Sequence, residues 1–366
     1  KSIALGSSDT KATANSAVAI GESASSEGEG AVALGKESRA TGGAAVALGQ
    51  KSSATNSDSF AVGWGSNASG GMSTSIGNSS AASGKNSIAF GSSAKAVGAR
   101  SMAFGSSSTA KQNDDIAFGA EAATRDQGGG RSIAIGVGAM SGSNRDGFDR
   151  NGADAGGVAI GTGAYTGVNR DNISINSSVA VGAGAGAGFR SLDGNKMPVG
   201  NATDVDTNDE VLKKAFGVKN VGDYFATIPD DDKRKGRGTN GYTNVDVNEA
   251  TALGRNARAI GDQAVAIGAQ TIAGHGAVAL GGNDITQFAD NKYYKSTRND
   301  FNVTDTEDHN QDATLSGETV SGAFKRLVGT PLDTKYKATY AQDGSVVLGA
   351  QAHSGTPLGT ALGTNA

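Results

Sequence analysis

Short apolar runs punctuated by glycine recur along this chain at a fixed interval. The unit is apolar-Ala-apolar-Gly, as in Ile3-Ala4-Leu5-Gly6, Val18-Ala19-Ile20-Gly21, Val46-Ala47-Leu48-Gly49 and Ile88-Ala89-Phe90-Gly91. From Gly21 to Gly119 the closing glycines fall every 14 residues, at 21, 35, 49, 63, 77, 91, 105 and 119. One copy, Thr74-Ser75-Ile76-Gly77, departs in composition but keeps the interval. Each unit has a second half: a small residue three after the glycine and, in most copies, Ala five after it, as at Ser38/Ala40 and Ala94/Ala96. Alternation with period two predicts a strand. Seven after the anchor a turn residue is common, as at Gly28, Gly42, Asn56, Gly70, Gly84 and Gly98. Each unit is therefore read as two short strands and two tight corners, with corner glycines supplying φ > 0.

Coils of this kind stack about 4.8 Å apart into a solenoid with a thin continuous core. The first strand is expected to point its two large apolar residues inward, leaving Ala outward. That Ala column carries no charge, and its small side chains would let another backbone approach. Ala19, Ala33, Ala47, Ala61, Ala89, Ala103 and Ala117 are accordingly the expected contacts between copies of the chain. The outward column of the second strand is mixed and more polar: Ser25, Arg39, Ser53, Asn67, Lys95, Thr109, Arg258, His353.

After Gly119 the interval stretches; anchors follow at 136, 161, 182, 254, 268, 281, 349 and 363. The added residues are read as leaving one corner, after the second strand, and so as lying along one edge, where solenoids often bind partners. The organisation predicted is coils over 1–187, an insertion over 188–250, coils over 251–286, an insertion over 287–345 and coils over 346–366. Two helices are predicted in the insertions, one after Asn208 bearing Val211, Leu212, Ala215 and Phe216. The other follows Ser316, with Val320, Ala323, Phe324, Leu327 and Val328 on one stripe. The insertions and smaller loops hold aromatic and basic side chains suited to binding: Arg145, Phe148, Arg150, Arg170, Arg234, Tyr293, Tyr294, Lys295 and Arg298.

Composition narrows the function. Gly makes up 57 of 366 residues, Pro only 4, and aromatics 5%, unlike an ordinary globular core. A net charge of −4 gives no electrostatic case for nucleic acid, and the absence of Cys excludes disulfides and thiol chemistry. His275, His309 and His353 show no metal-ligand spacing. Asp146, Asp149 and Asp154 are read as solvated turn acids. There is no nucleophile elbow or Walker loop, and Gly182-Ala183-Gly184-Ala185-Gly186 falls in register with the repeat. The columns lack the Thr array of an ice-binding solenoid and the hexapeptide period of acyltransferase β-helices. An enzyme is not expected, nor any cofactor or metal. The chain opens in mid-pattern and is expected to belong to something longer.

The units Ser16-Ala17-Val18-Ala19-Ile20-Gly21, Ser87-Ile88-Ala89-Phe90-Gly91 and Ala264-Val265-Ala266-Ile267-Gly268 resemble the repeats of YadA-like heads of trimeric autotransporter adhesins. The resemblance covers 1 to about 187, 251–282 and 346 to the end. It implies an all-β, left-handed parallel β-roll and a homotrimer at the bacterial cell surface, with a stalk and an outer-membrane anchor outside this sequence. Attachment to host matrix proteins, host cell receptors, surface glycans or other microbes is implied too. The other reading is a structural spacer in a surface fibre whose binding site lies elsewhere.

Overall fold

A computed structural model describes residues 1–124, 130–142, 156–168, 177–189, 249–285, 289, 292–296, 313–330, 332 and 338–366. The chain is a parallel β-solenoid. The first strands form a 17-stranded sheet and the second strands a 16-stranded one. Pairing is parallel and in register coil after coil: Val18 sits beside Val32, Ala19 beside Ala33 and Ile20 beside Leu34. At the ordinary parallel-strand spacing, 17 coils make a rod about 80 Å long. The stack is unbroken across the inserted residues. Val179–Val181 pairs directly with Thr251–Leu253, and Val278–Leu280 with Val346–Leu348. Among the described residues, no helix is long and apolar enough to cross a membrane.

The orientation of the first strand is the reverse of that expected. Ala19, Ala33, Ala47, Ala61, Ala89, Ala103 and Ala117 are fully buried inside their own chain. Their large neighbours face outward: Leu34, Phe90, Met102 and Phe118 are all exposed. The reason is the width of the coil. Ser75, on a first strand, and Ser80, just before the second strand opposite it, join hydroxyls at 2.7 Å. Two side chains of two heavy atoms each thus span the interior, and a leucine is too large to stand between the sheets there. The core is four small columns, mostly Ala or Ser: two from each first strand and the residue before it, and two at three and five after each anchor, with Asp115, Thr124, Thr166, Thr271 and Val347 as the larger buried members. Its hydroxyls are mostly satisfied locally. Ser38, Ser52 and Ser108 donate to the carbonyls of Gly35, Gly49 and Gly105 at 2.8–2.9 Å.

The corners differ from expectation too. Left-handed φ falls two and nine residues after the anchor, on Ser23, Glu37 and Lys51 at one edge and Ala44, Asp58 and Met72 at the other. Gly28, Gly42, Gly70, Gly84 and Gly98 do not have positive φ. Glycine stands there because a Cβ would run into the carbonyl of the coil above. The anchors need glycine on both counts: Gly21 has φ +131°, and its Cβ would lie 2.6 Å from the Gly35 oxygen.

Four insertions leave after a second strand, as predicted. The last does not. The second strand of the coil anchored at Gly281 is Thr339–Ala341, which pairs with Thr271–Ala273 and His353–Ser354. That insertion therefore leaves the opposite edge, before the second strand, and residues 339–345 belong to the solenoid rather than to the insertion. Within it, Lys292–Ser296 pairs antiparallel with Ala313–Thr319, which leads into helix α1 (Val320–Val328). Thr319, not Ser316, caps α1, accepting the Gly322 amide, and Gly329 closes it in the left-handed conformation. Phe324 packs on the cluster of Ile285, Ala289 and Leu332, together with Ala350 of the solenoid. The helix expected after Asn208 lies outside the described residues.

Candidate binding surfaces

Two surfaces stand out from the small-residue coils. The first is the outer face of the 17-stranded sheet. Alternation turns the residues flanking each buried small residue outward, so Val, Ile, Leu, Met and Phe form two columns along the rod, one of them interrupted by Thr74, Thr251 and Thr360. Phe90, Phe104 and Phe118 stack on one another at 5.8 and 5.7 Å between ring centroids. Phe118 is 55% exposed and Leu348 51%. An apolar band of this length exceeds what soluble monomers leave in water. It offers no catalytic group. What it can do is pack against another apolar surface. The sequence signal for this face was the pair of large residues in each unit, assigned there to the interior.

The second surface is the outer face of the 16-stranded sheet in its later coils. Its outward column reads Met140, Tyr165, Gly186, Arg258, Ile272, Tyr340, His353 along paired positions. Tyr165 lies across Gly186, where a Cβ would collide with its ring. The Arg258 guanidinium stands over the Tyr165 ring at 5.6 Å. It donates to the Tyr165 hydroxyl at 2.9 Å and to the Gly184 carbonyl at 3.0 Å. Both side chains are nearly fully buried, Arg258 being 4% exposed. Tyr340 and His353 rings lie 5.2 Å apart, and burial pushes the Tyr340 phenol above its ordinary pKa. Sequence reasoning treated Arg258 and His353 as ordinary outward residues and passed over Tyr165. The change from Ala and Ser to Met and Tyr in that column was the available signal.

At the adjoining corner, the amide of Asp262 donates to His275 Nδ1 at 2.8 Å, and the His275 amide donates to Asp343 Oδ1 at 2.9 Å. Desolvation lowers the His275 pKa, and the charges of Asp343 and Asp262 oppose it. Among the described residues no group of three His, Cys, Asp or Glu could hold a metal ion.

Of the expected binding residues, Tyr293, Tyr294 and Lys295 fall on the paired strand Lys292–Ser296 rather than in a loop. Arg145, Phe148, Arg150, Arg170, Arg234 and Arg298 lie outside the described residues, as do Asp146, Asp149 and Asp154. The Ala column expected to meet other copies of the chain is interior to its own chain, and the residues on either side of it are the ones that face outward.

A rod of 14-residue coils, small inside and apolar along one outer face, defines a parallel β-solenoid. Residues 12–38, 40–66, 68–94, 96–122 and 248–271 match the YadA head domain repeat. These matches support a YadA-like head built of repeats, of the trimeric autotransporter adhesin type, a family that implies an adhesin-type surface function. The solenoid continues past the matched residues through the coils anchored at 136, 161, 182, 281, 349 and 363. No curated protein matches the chain.

Proposed function

We propose that three copies of this chain associate with their apolar faces inward to form an adhesive head on the bacterial outer surface. The observation that carries this is the exposed apolar face running the length of a rod whose repeats are YadA head repeats. Burying a Leu or Phe side chain is worth about 1.5–3 kcal/mol. Repetition over many coils therefore gives a large driving force and a parallel arrangement.

Attachment, in this reading, is made by the insertions to host matrix proteins, host cell receptors, surface glycans or other microbes. They cluster aromatic and basic side chains, as at Tyr293, Tyr294 and Lys295, a combination absent from the second-strand face of the coils before residue 124. Those early coils favour a spacer role for the first part of the rod, where the outer face is built of Ser, Ala, Asn, Thr and a few Lys and Arg.

Sedimentation tests the assembly, and a three-chain particle is expected; a monomer overturns it. Adhesion is tested by deleting 190–248, and separately by replacing Tyr293, Tyr294 and Lys295 with Ala. Loss of attachment to matrix or cells, with the trimer intact, is expected from the deletion or the replacement. Full attachment by both variants shows that the site lies on the coils.

A further inference from the structure

Each coil has two edges. One follows the anchor glycine and the other follows the second strand. At the first edge, the residues one after the anchor read Glu22, Lys36, Gln50, Trp64, Asn78 and Ser92 in consecutive coils. At the second edge, those nine after it read Gly30, Ala44, Asp58, Met72, Asn86 and Arg100. In these six coils both columns are otherwise polar or small, and both break in the coil anchored at Gly63; further along, Val137 breaks the first edge alone and Leu358 the second alone. Trp64 is the single Trp of the chain. Trp64 and Met72 are each 50% exposed. Each is flanked by a glycine that leaves open space: a Cβ at Gly71 would meet nothing within 4 Å, and one at Gly65 only the Ser79 hydroxyl at 3.7 Å.

We propose that Trp64 of one chain packs against Met72 of a second copy, an indole–thioether contact that fixes the subunits coil for coil. The proposal rests on the association of apolar faces described above. A ring closed by rotation uses heterologous contacts, so the first edge of each chain meets the second edge of the next. Rotation adds no translation along the rod, and residues of one coil therefore face each other to within its rise of about 4.8 Å. Trp and Met suit each other, since a polarizable thioether packs favourably against an aromatic ring.

Charge on these edges is taken up within the chain: Lys36 pairs with Glu22 at 3.0 Å and Lys51 with Glu37 at 3.8 Å along the first edge, and Arg100 with Asp114 at 2.5 Å along the second. The apolar pair, not charge, sets the coil anchored at Gly63 apart from its neighbours.

The absence of native Cys makes the test clean. A Trp64→Cys/Met72→Cys chain, oxidised as the assembled head, is expected to run as a covalent three-chain species on a denaturing gel. Each single variant, and Trp64→Cys/Arg100→Cys two coils out of register, should stay single-chain. Emission from the lone Trp should be blue-shifted and shielded from acrylamide in the assembly. A double variant that sediments as a trimer but does not cross-link overturns this contact and leaves the association of apolar faces standing. A monomeric wild type overturns both. Quencher-accessible Trp64 emission that shifts on adding oligosaccharides makes the indole a glycan platform and also overturns the proposal.

Discussion

The coils up to residue 124 and those from 130 onward share one backbone and one core but differ on the outer face of the second-strand sheet. In the earlier coils that column holds Ser25, Arg39, Asn67 and Lys95, partly or fully exposed. In the later coils it holds Met140, Tyr165, Arg258 and Ile272, all buried. Inside, the two regions are interchangeable: Ala89 and Ala103 in one, Ala252 and Ala266 in the other, are all fully buried. The comparison separates two jobs. The interior columns are held to Ala, Ser or Thr in nearly every coil by its width; the larger residues they admit are Val347 and Asp115, whose carboxylate accepts from the Thr124 hydroxyl and the Ser132 amide. The outward column is set by what stands on it, so the same strand can be a bare spacer or a platform for large side chains.

The most damaging substitution should be blind to this division. Ala103→Glu and Ala266→Glu each place a carboxylate where only a methyl fits, and an unpaired buried charge costs several kcal/mol. Both should lose cooperative thermal unfolding by circular dichroism. Phe104→Glu, one residue along and facing outward, should keep its coils and lose assembly in sedimentation. Equal tolerance of Ala103→Glu and Phe104→Glu would return the orientation of the strand to the one inferred from sequence.

That orientation is also where sequence reading stopped short. Period-two alternation says which residues share a face but not which face is inside. Size was taken to decide it, with Val18 and Ile20 inward. Yet the interior is spanned by the hydroxyls of Ser75 and Ser80. The small columns at three, five, ten and twelve after each anchor from Gly21 to Gly91 point toward one another, and that match was legible from composition alone. The coil period, the two strands and the stretch of helix α1 were read correctly because each has a strong local pattern. Thr339–Ala341 was missed because its first strand, Val278–Leu280, lies far upstream. The clue was Ala341, eight residues before Gly349, the same spacing that separates Ala273 from Gly281.

Substitution on the outward column should sort the two regions. Gly186→Val drives a branched side chain into the Tyr165 ring and displaces Tyr165 from Arg258. A loss of about 1–3 kcal/mol is expected from overpacking. Ala81→Val, on the same column in an early coil, should change stability by less than about 0.5 kcal/mol. Arg258→Met is the intermediate case. It keeps much of the volume but leaves the Tyr165 hydroxyl and the Gly184 carbonyl without this donor, at about 1–3 kcal/mol for each buried group left unpaired. Equal responses of Gly186→Val and Ala81→Val in chemical denaturation would mean that the later column is no platform.

Acid should reveal the smallest difference between the regions. His275 sits at a corner of the later coils, and the coils before residue 124 hold no His. Its Nδ1 accepts the Asp262 amide, so that nitrogen cannot take a proton without losing the bond. Burial lowers its folded pKa below the ordinary 6.5, while Asp343 and Asp262 hold the shift in check. A base with a depressed folded pKa is protonated first in the unfolded chain. Above about pH 6.5 the two states bind protons alike at this site, and stability is complete. Between 6.5 and the lower folded value the unfolded state gains protons and the fold is progressively weakened. Hydrogen exchange should therefore show amides near His275, such as Gly274 and Gly276, opening faster at pH 5 than at pH 7.5, after correction for intrinsic rates. Amides of Gly91 and Gly105 should not change with them. His275→Gln, which keeps an acceptor without a titrating ring, should remove the pH dependence. If it persists in that variant, the acid sensitivity belongs to the carboxylates and His275 is only a corner residue.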